Sequence, residues 1–237
     1  MRFTPIASSS AGNAYLVQDG DCALLLECGI SMRRLMQGTD VRLSGLSGCL
    51  ITHEHKDHAG HVAKLLRMGV PCWASPGTVR ALGQEGVSPF CLPAGRNMGP
   101  PFQVGSFTVV PFRTFHDAAE PVGYLLRDSR GEVLVFATDT AGLGYRFPGV
   151  SVLALEANYQ DEIIACSSMP EDRRKRVRSS HMEIGVLCEY LAGLELEQCR
   201  ELWLLHLSDS SSHEARFVAM AEEAVPAHVI VRAAQRG

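Results

Sequence analysis

Thr52-His53-Glu54-His55-Lys56-Asp57-His58 puts three histidines and two acids into six consecutive positions, directly after the apolar stretch Ser47–Thr52. Imidazole nitrogen and carboxylate oxygen are the donors that divalent ions of borderline softness prefer. A single helix could not aim residues 53, 55, 57 and 58 at one place. A loop leaving a strand can fold back on itself, turning alternate residues to one ion and the next pair to another. The stretch is therefore expected to be a metal-binding loop at the end of a buried strand.

Upstream, Arg2–Ala7, Ala14–Gln18 and Cys22–Glu27 are short apolar runs separated by turn residues, which predicts strands. Downstream, Ala59–Met68 and Pro76–Leu82 have helical spacing, the second with Ser75 as N-cap before a proline. Phe107–Phe115, Val122–Arg127, Glu132–Ala137 and Val150–Leu155 follow as strands. The last third alternates a helix over 182–192, a strand over 201–206, a helix over 212–224 and a strand over 228–231. Strands early and alternation later predict an α/β chain of sheets covered by helices.

The chain of 237 residues is 46% hydrophobic, enough for one packed domain spanning 1–237, and no linker or repeat divides it. A net charge of −4 argues against a wholly basic nucleic-acid coat but leaves room for a local basic patch. No apolar run reaches the roughly 20 residues that cross a bilayer, and no signal peptide is expected at the N-terminus. The eight cysteines include no C-x-x-C pair and are expected to be reduced thiols in a cytoplasmic setting.

H-x-H-x-D-H after a strand resembles the signature of the metallo-β-lactamase superfamily. The later motifs of that family are matched in order by His116 in Phe115-His116-Asp117, Asp139 in Ala137-Thr138-Asp139-Thr140, and His206 in Leu205-His206-Leu207. Each stands at the C-terminal end of an expected strand, the edge where sites gather in α/β sheets. The resemblance implies a four-layer αββα sandwich holding two divalent metal ions, zinc first and manganese or iron as alternatives. It implies that His53, His55 and His116 bind one ion, that Asp57, His58 and His206 bind the other, and that Asp139 bridges both. His61, His213 and His228 are assigned to no metal.

Three further stretches resemble the YycJ/WalJ-like branch of that superfamily: Ala7-Ser8-Ser9-Ser10-Ala11-Gly12-Asn13, His116-Asp117-Ala118-Ala119-Glu120-Pro121-Val122-Gly123-Tyr124, and Leu155-Glu156-Ala157-Asn158-Tyr159. That branch is linked to phosphodiester cleavage and related to tRNA 3′-processing endonucleases. The chain departs from the pattern at Glu27, where Asp is usual. It departs again in the opening loop at Ser9 and Ala11, and in Ser180-His181-Met182-Glu183, where the family's glycine is missing.

The implied reaction is hydrolysis of a phosphodiester by a hydroxide shared between the metals, with Asp57 and His181 as catalytic residues. Ser180-x-x-Glu183 has the form of a capping box and would put His181 at a helix N-terminus, where a phosphate is favoured. Asn13 and the basic run Arg173, Arg174, Lys175, Arg176 and Arg178 are the substrate-binding candidates, because guanidinium groups pair well with phosphates. Nucleic acid is the expected substrate, with DNA exonuclease-like cleavage. The alternatives are a small cyclic phosphodiester, another ester, thioester or lactone, or a binding member of the fold without activity. No Ser/His/Asp triad or P-loop competes.

Overall fold

The computed structural model describes residues 1–236. The elements, in order, are β1 (Arg2–Ala7), β2 (Ala14–Asp19), β3 (Cys22–Leu26), α1 (Met32–Gln37), β4 (Leu46–Leu50), α2 (Lys56–Ala59), α3 (Val62–Arg67), β5 (Cys72–Ala74), α4 (Pro76–Leu82), β6 (Val87–Pro89), β7 (Phe102–Val104), β8 (Phe107–Arg113), β9 (Val122–Arg127), β10 (Val133–Ala137), β11 (Val152–Glu156), α5 (Asp161–Cys166), α6 (Glu171–Ser180), α7 (Ile184–Ala192), β12 (Glu201–Leu205), α8 (Glu214–Ala224) and β13 (Ile230–Ala233). The chain divides into two compact units. The first contains Met1–Arg113, Ala118–Glu132 and the C-terminal tail, and the second contains Thr114–Asp117 and Val133–Ala234.

In the first unit, β1 to β6 form one sheet in sequence order. It starts antiparallel (β1-β2-β3) and continues parallel from β3 onward. Leu16, Leu25, Cys49, Ile51, Leu35, Leu65 and Val62 pack one core against this sheet. The helix α4 begins as its residues dictate: Ser75 accepts the Thr78 N–H at 3.1 Å, and Pro76 occupies the first turn, where no N–H is needed. The antiparallel ladder β7-β8-β9 belongs to the same unit.

In the second unit, β10, β11, β12 and β13 run parallel in that order. Every residue of β10 and β11 is buried, as expected for parallel strands covered on both faces. Their registers set Ala137 opposite Leu155, and Glu156 opposite Leu205. The residues that follow these strands therefore leave the sheet at one level.

The expected strands and helices are present with ends displaced by a residue or two, except that the helix expected over Ala59–Met68 begins only at Val62, while α1, α2, α5, α6 and β5 to β7 are additional. The capping-box reading is corrected. Ser180 is the last residue of α6, and α7 begins at Ile184 because the Glu183 carboxylate accepts the Gly185 and Val186 N–H groups. The basic run is helical: Glu171 and Asp172 fill the first turn of α6, where acids complement the helix dipole. No helix among the described residues is long and apolar enough to cross a membrane, and all eight cysteines are free.

Candidate metal centre

The first unit carries four of the expected donors on one turn of chain. β4 ends at Leu50, and the chain then passes through His53 and His55 into α2, which bears Asp57 and His58. The foreseen loop is thus a loop followed by a single helical turn. The His53 Nε2 and His55 Nδ1 atoms lie 3.0 Å apart, and the His53 and His58 rings are 4.2 Å apart at their centroids. Ring nitrogens that face one another this closely are placed as co-ligands of one cation are placed. Asp57 Oδ2 lies 3.3 Å from His58 Nε2.

This turn is fastened on every side. The Glu54 carboxylate accepts the Ala119 N–H at 2.8 Å, and the Thr52 carbonyl accepts the Val122 N–H at 3.1 Å. Asn13 is buried, and its amide donates to the Ser9 and Asp57 carbonyls at 3.1 and 3.2 Å and lies 3.1 Å from His58 Nε2. Its oxygen accepts the Ser9 N–H and the Tyr15 hydroxyl. The side chain named as a substrate contact is thus engaged in holding the histidine turn. A Cβ at Gly29 would stand 1.7 Å from the Asp57 carbonyl oxygen, so only glycine lets the two segments meet.

Glu27, fully buried, accepts the Thr52 N–H at 3.2 Å and lies 3.7 Å from His58 Nδ1. Burial raises its carboxyl above the usual range, and His58 and Thr52 only partly offset this. Glu120, part of the branch motif, accepts the Gly77 N–H at 2.7 Å at the start of α4 and pairs with Arg113. Its role is structural.

The second unit gathers its donors from several strand ends. Asp139 follows β10 and His206 follows β12, and their Oδ1 and Nδ1 atoms lie 3.3 Å apart. His116 Nε2 stands 3.5 Å from Asp139 Oδ2, while its Nδ1 donates to the Ser180 carbonyl at 2.8 Å. A backbone acceptor on Nδ1 fixes the tautomer that leaves Nε2 for a metal. Asp139, Glu156, His181 and His206 each offer a donor atom within 4.8 Å of the others.

Glu156, which the sequence motif contained but to which no role was given, is the hub of this unit. It is fully buried and accepts His181 Nδ1 at 2.6 Å, His206 Nδ1 at 3.2 Å, the Thr140 N–H at 2.7 Å and the Met182 N–H at 3.2 Å. Burial pushes its carboxyl up, but His181 and His206 outweigh burial and hold it below the usual value. Burial alone would lower His181. Glu156 reverses that and raises it. His181 follows the end of α6 in extended backbone, so the expected helix N-terminus beside it is corrected to a carboxylate partner.

Glu27, Asp139 and His206 have φ of 65°, 50° and 54°, and among the described residues they are the only non-glycine positions with positive φ. Each follows a strand end, Asp139 and His206 as members of a donor group and Glu27 beside His58. Such backbone costs energy in side-chain-bearing residues and concentrates where function requires it.

The basic helix is largely paired within its own unit. Arg176 meets Asp117 at 2.7 Å, Arg178 meets Asp161 at 2.7 Å, and Arg174 reaches Glu171 at 3.9 Å and the Met169 carbonyl at 2.8 Å. Arg173 and Lys175 make no ion pair among the described residues. Of the unassigned histidines, His213 caps α8 by accepting the Arg216 N–H, and His228 lies 3.2 Å from the Leu196 carbonyl.

Comparison with known proteins adds independent findings. The chain is 28% identical over 222 residues to the exodeoxyribonuclease YycJ of Bacillus anthracis, covering 88% of this chain and 83% of that one. It is 26% identical over 225 residues to the exodeoxyribonuclease WalJ of Streptococcus pneumoniae, covering 89% and 83%. The crystal structure of the metallo-β-lactamase fold protein YhfI from Bacillus subtilis superposes with a TM-score of 0.74 at 17% identity, covering 99% of this chain and 97% of that one. That likeness shows the fold, in keeping with the expected α/β class of two sheets with helices. The family model described as beta-lactamase superfamily domain matches residues 23–207, a span that contains every expected metal ligand. The chain belongs to the beta-lactamase superfamily.

Proposed function

We propose that this chain is a metal-dependent phosphodiesterase acting on nucleic acid, its two units working as one domain over 1–237. The observation that carries the reading is an intact nitrogen and oxygen donor set in a chain similar, along 88% of its length, to a protein named an exodeoxyribonuclease. His53, His55 and His116 would hold one divalent ion, and Asp57, His58 and His206 would hold the other, with Asp139 serving both. Zinc is the first choice for such ligands, with manganese or iron as alternatives. Bound there, the ions supply an acidified water and offset charge on the phosphoryl oxygens.

The chain's own residues do the rest. Ser180 and Glu156 hold the protons of His116 and His181 on Nδ1, which orients both rings and raises the basicity of His116 as a ligand. His181, held by Glu156, has its other nitrogen left for a phosphate oxygen. Asp57 orients the attacking water. Free thiols at all eight cysteines support a reducing, cytoplasmic setting.

A small phosphodiester is the second reading. The pairing of Arg174, Arg176 and Arg178 with neighbouring acids favours it, because paired cations attract a polyanion less.

Elemental analysis of the purified protein, combined with turnover of single-stranded DNA, RNA, a small phosphodiester and a thioester, tests both. Two equivalents of metal with cleavage of a nucleic acid are expected. Turnover confined to the small phosphodiester would select the second reading. Turnover confined to the thioester would overturn both.

A further inference from the structure

Phe115 is 59% exposed, the most exposed large apolar side chain among the described residues. A single exposed apolar residue is ordinary. The mounting of this one is not. Its N–H donates to Thr140 Oγ1 at 3.0 Å and its carbonyl accepts the Ala141 N–H at 2.9 Å. Thr140 is anchored in turn, by its own N–H to Glu156 at 2.7 Å and by its hydroxyl to the Gly142 carbonyl at 2.7 Å. The backbone is therefore held on both sides while the ring stands in solvent, and a ring with two side-chain torsions on a fixed backbone loses little entropy when it makes a contact.

Its surroundings are those of a binding surface. The next residue is His116, and Asp117 after it holds Arg176 of α6. Helix α6 also ends against this segment, where the Ser180 carbonyl receives His116 Nδ1. On the other side lies Ala141-Gly142-Leu143-Gly144, in which a Cβ at either glycine would meet nothing within 4 Å. A fixed aromatic ring and an adjoining helix on which Arg173 and Lys175 stand outside any ion pair among the described residues match the parts by which proteins hold single strands: bases stack on rings while cations follow the phosphates. A base inside a duplex has no free face to offer such a ring.

We propose that Phe115 stacks on an unpaired nucleobase next to the phosphate that is cleaved, which makes single-stranded nucleic acid the substrate. This rests on the phosphodiesterase reading above. It adds a specificity-determining residue outside the metal ligands.

The test uses metal-loaded protein, Phe115→Ala and Phe115→Trp, with a single-stranded oligonucleotide, the same strand lacking the base beside the cleaved linkage, and the same strand carrying 2-aminopurine there. Phe115→Ala should raise KM for the intact strand by about 5- to 140-fold, the range that base–aromatic stacking spans. The loss should fall on KM rather than kcat, because the contact is the same in the ground and transition states. Phe115→Trp should restore KM, and the quenching of 2-aminopurine on mixing with the wild type should vanish with Phe115→Ala. Removing ring and base together should cost no more than removing either alone.

Full 2-aminopurine quenching with Phe115→Ala, or additive losses for ring and base, would overturn the stacking role while leaving the phosphodiesterase reading in place. Wild-type protein that carries metal but cleaves no nucleic acid would bring down that reading and this proposal together.

Discussion

The two donor groups are built by opposite means. In the first unit His53, His55, Asp57 and His58 come from six consecutive residues, and the fold has only to hold one turn still through Asn13, Glu54 and Gly29. In the second unit His116, Asp139, Glu156, His181 and His206 are scattered across ninety residues, and parallel strand register brings the ends of β10, β11 and β12 level. The difference shows in the buried carboxylates. Glu27 has a single histidine near it, so burial prevails and its carboxyl is raised. Glu156 has two histidines and two backbone N–H groups, so their attraction prevails and its carboxyl is lowered. The local motif is held through its backbone by neighbouring segments, whereas the dispersed one is held through a charged hub.

The largest effect is expected at Asp139, which the proposed assignment gives to both ions. Asp139→Ala should remove both ions and lower turnover by at least about 10³-fold, the several kcal/mol that metal chemistry supplies. Full metal content and full activity in that variant would show that the groups do not share Asp139.

The contrast between hubs comes next. Glu156→Gln keeps the shape but removes the charge that faces His181 and His206, and should weaken metal affinity by roughly 10- to 100-fold. Glu27→Gln should cost less than about tenfold, because Glu27 meets only the His58 ring, at 3.7 Å, and an amide oxygen can still accept the Thr52 N–H. Competition with a chelator of known affinity measures both, and the reverse order would break the comparison.

The smallest effect concerns α6. Replacing Arg173 and Lys175 by alanine should flatten the dependence of single-strand binding on log salt by about 1.4, two phosphate contacts' worth. Replacing Arg176 and Arg178, already met by Asp117 and Asp161, should flatten it less. Equal slopes for all three proteins would make α6 a solvated face.

What could be read in the sequence follows the same division. The turn at 52–58 was legible because its chemistry is contiguous. His116, Asp139 and His206 were legible only through their order behind that turn and their places after apolar strands. Glu156 stood in a quoted motif, yet nothing local marks a buried carboxylate with four donors, because those donors arrive from residues 140, 181, 182 and 206. His181 was misplaced because Ser180-x-x-Glu183 has the form of a cap. Glu183 alone performs the capping, since α6 runs on through Ser180. The short strands β5 to β7 escaped notice because three residues carry too little alternation to stand out.

The left-handed backbone at Glu27, Asp139 and His206 has a consequence for descent. Each such residue carries a conformational cost of about 1–3 kcal/mol that glycine, or to a lesser degree asparagine, would relieve. While the donors are needed, mutations to glycine at Asp139 or His206 relieve this strain but lose a donor, and they are removed. In a copy released from that need the balance inverts, and the same mutations become improvements. Glycine or asparagine at two or more of these three positions would therefore mark a descendant that has kept the scaffold and given up the reaction, even while its histidine-rich turn survives intact.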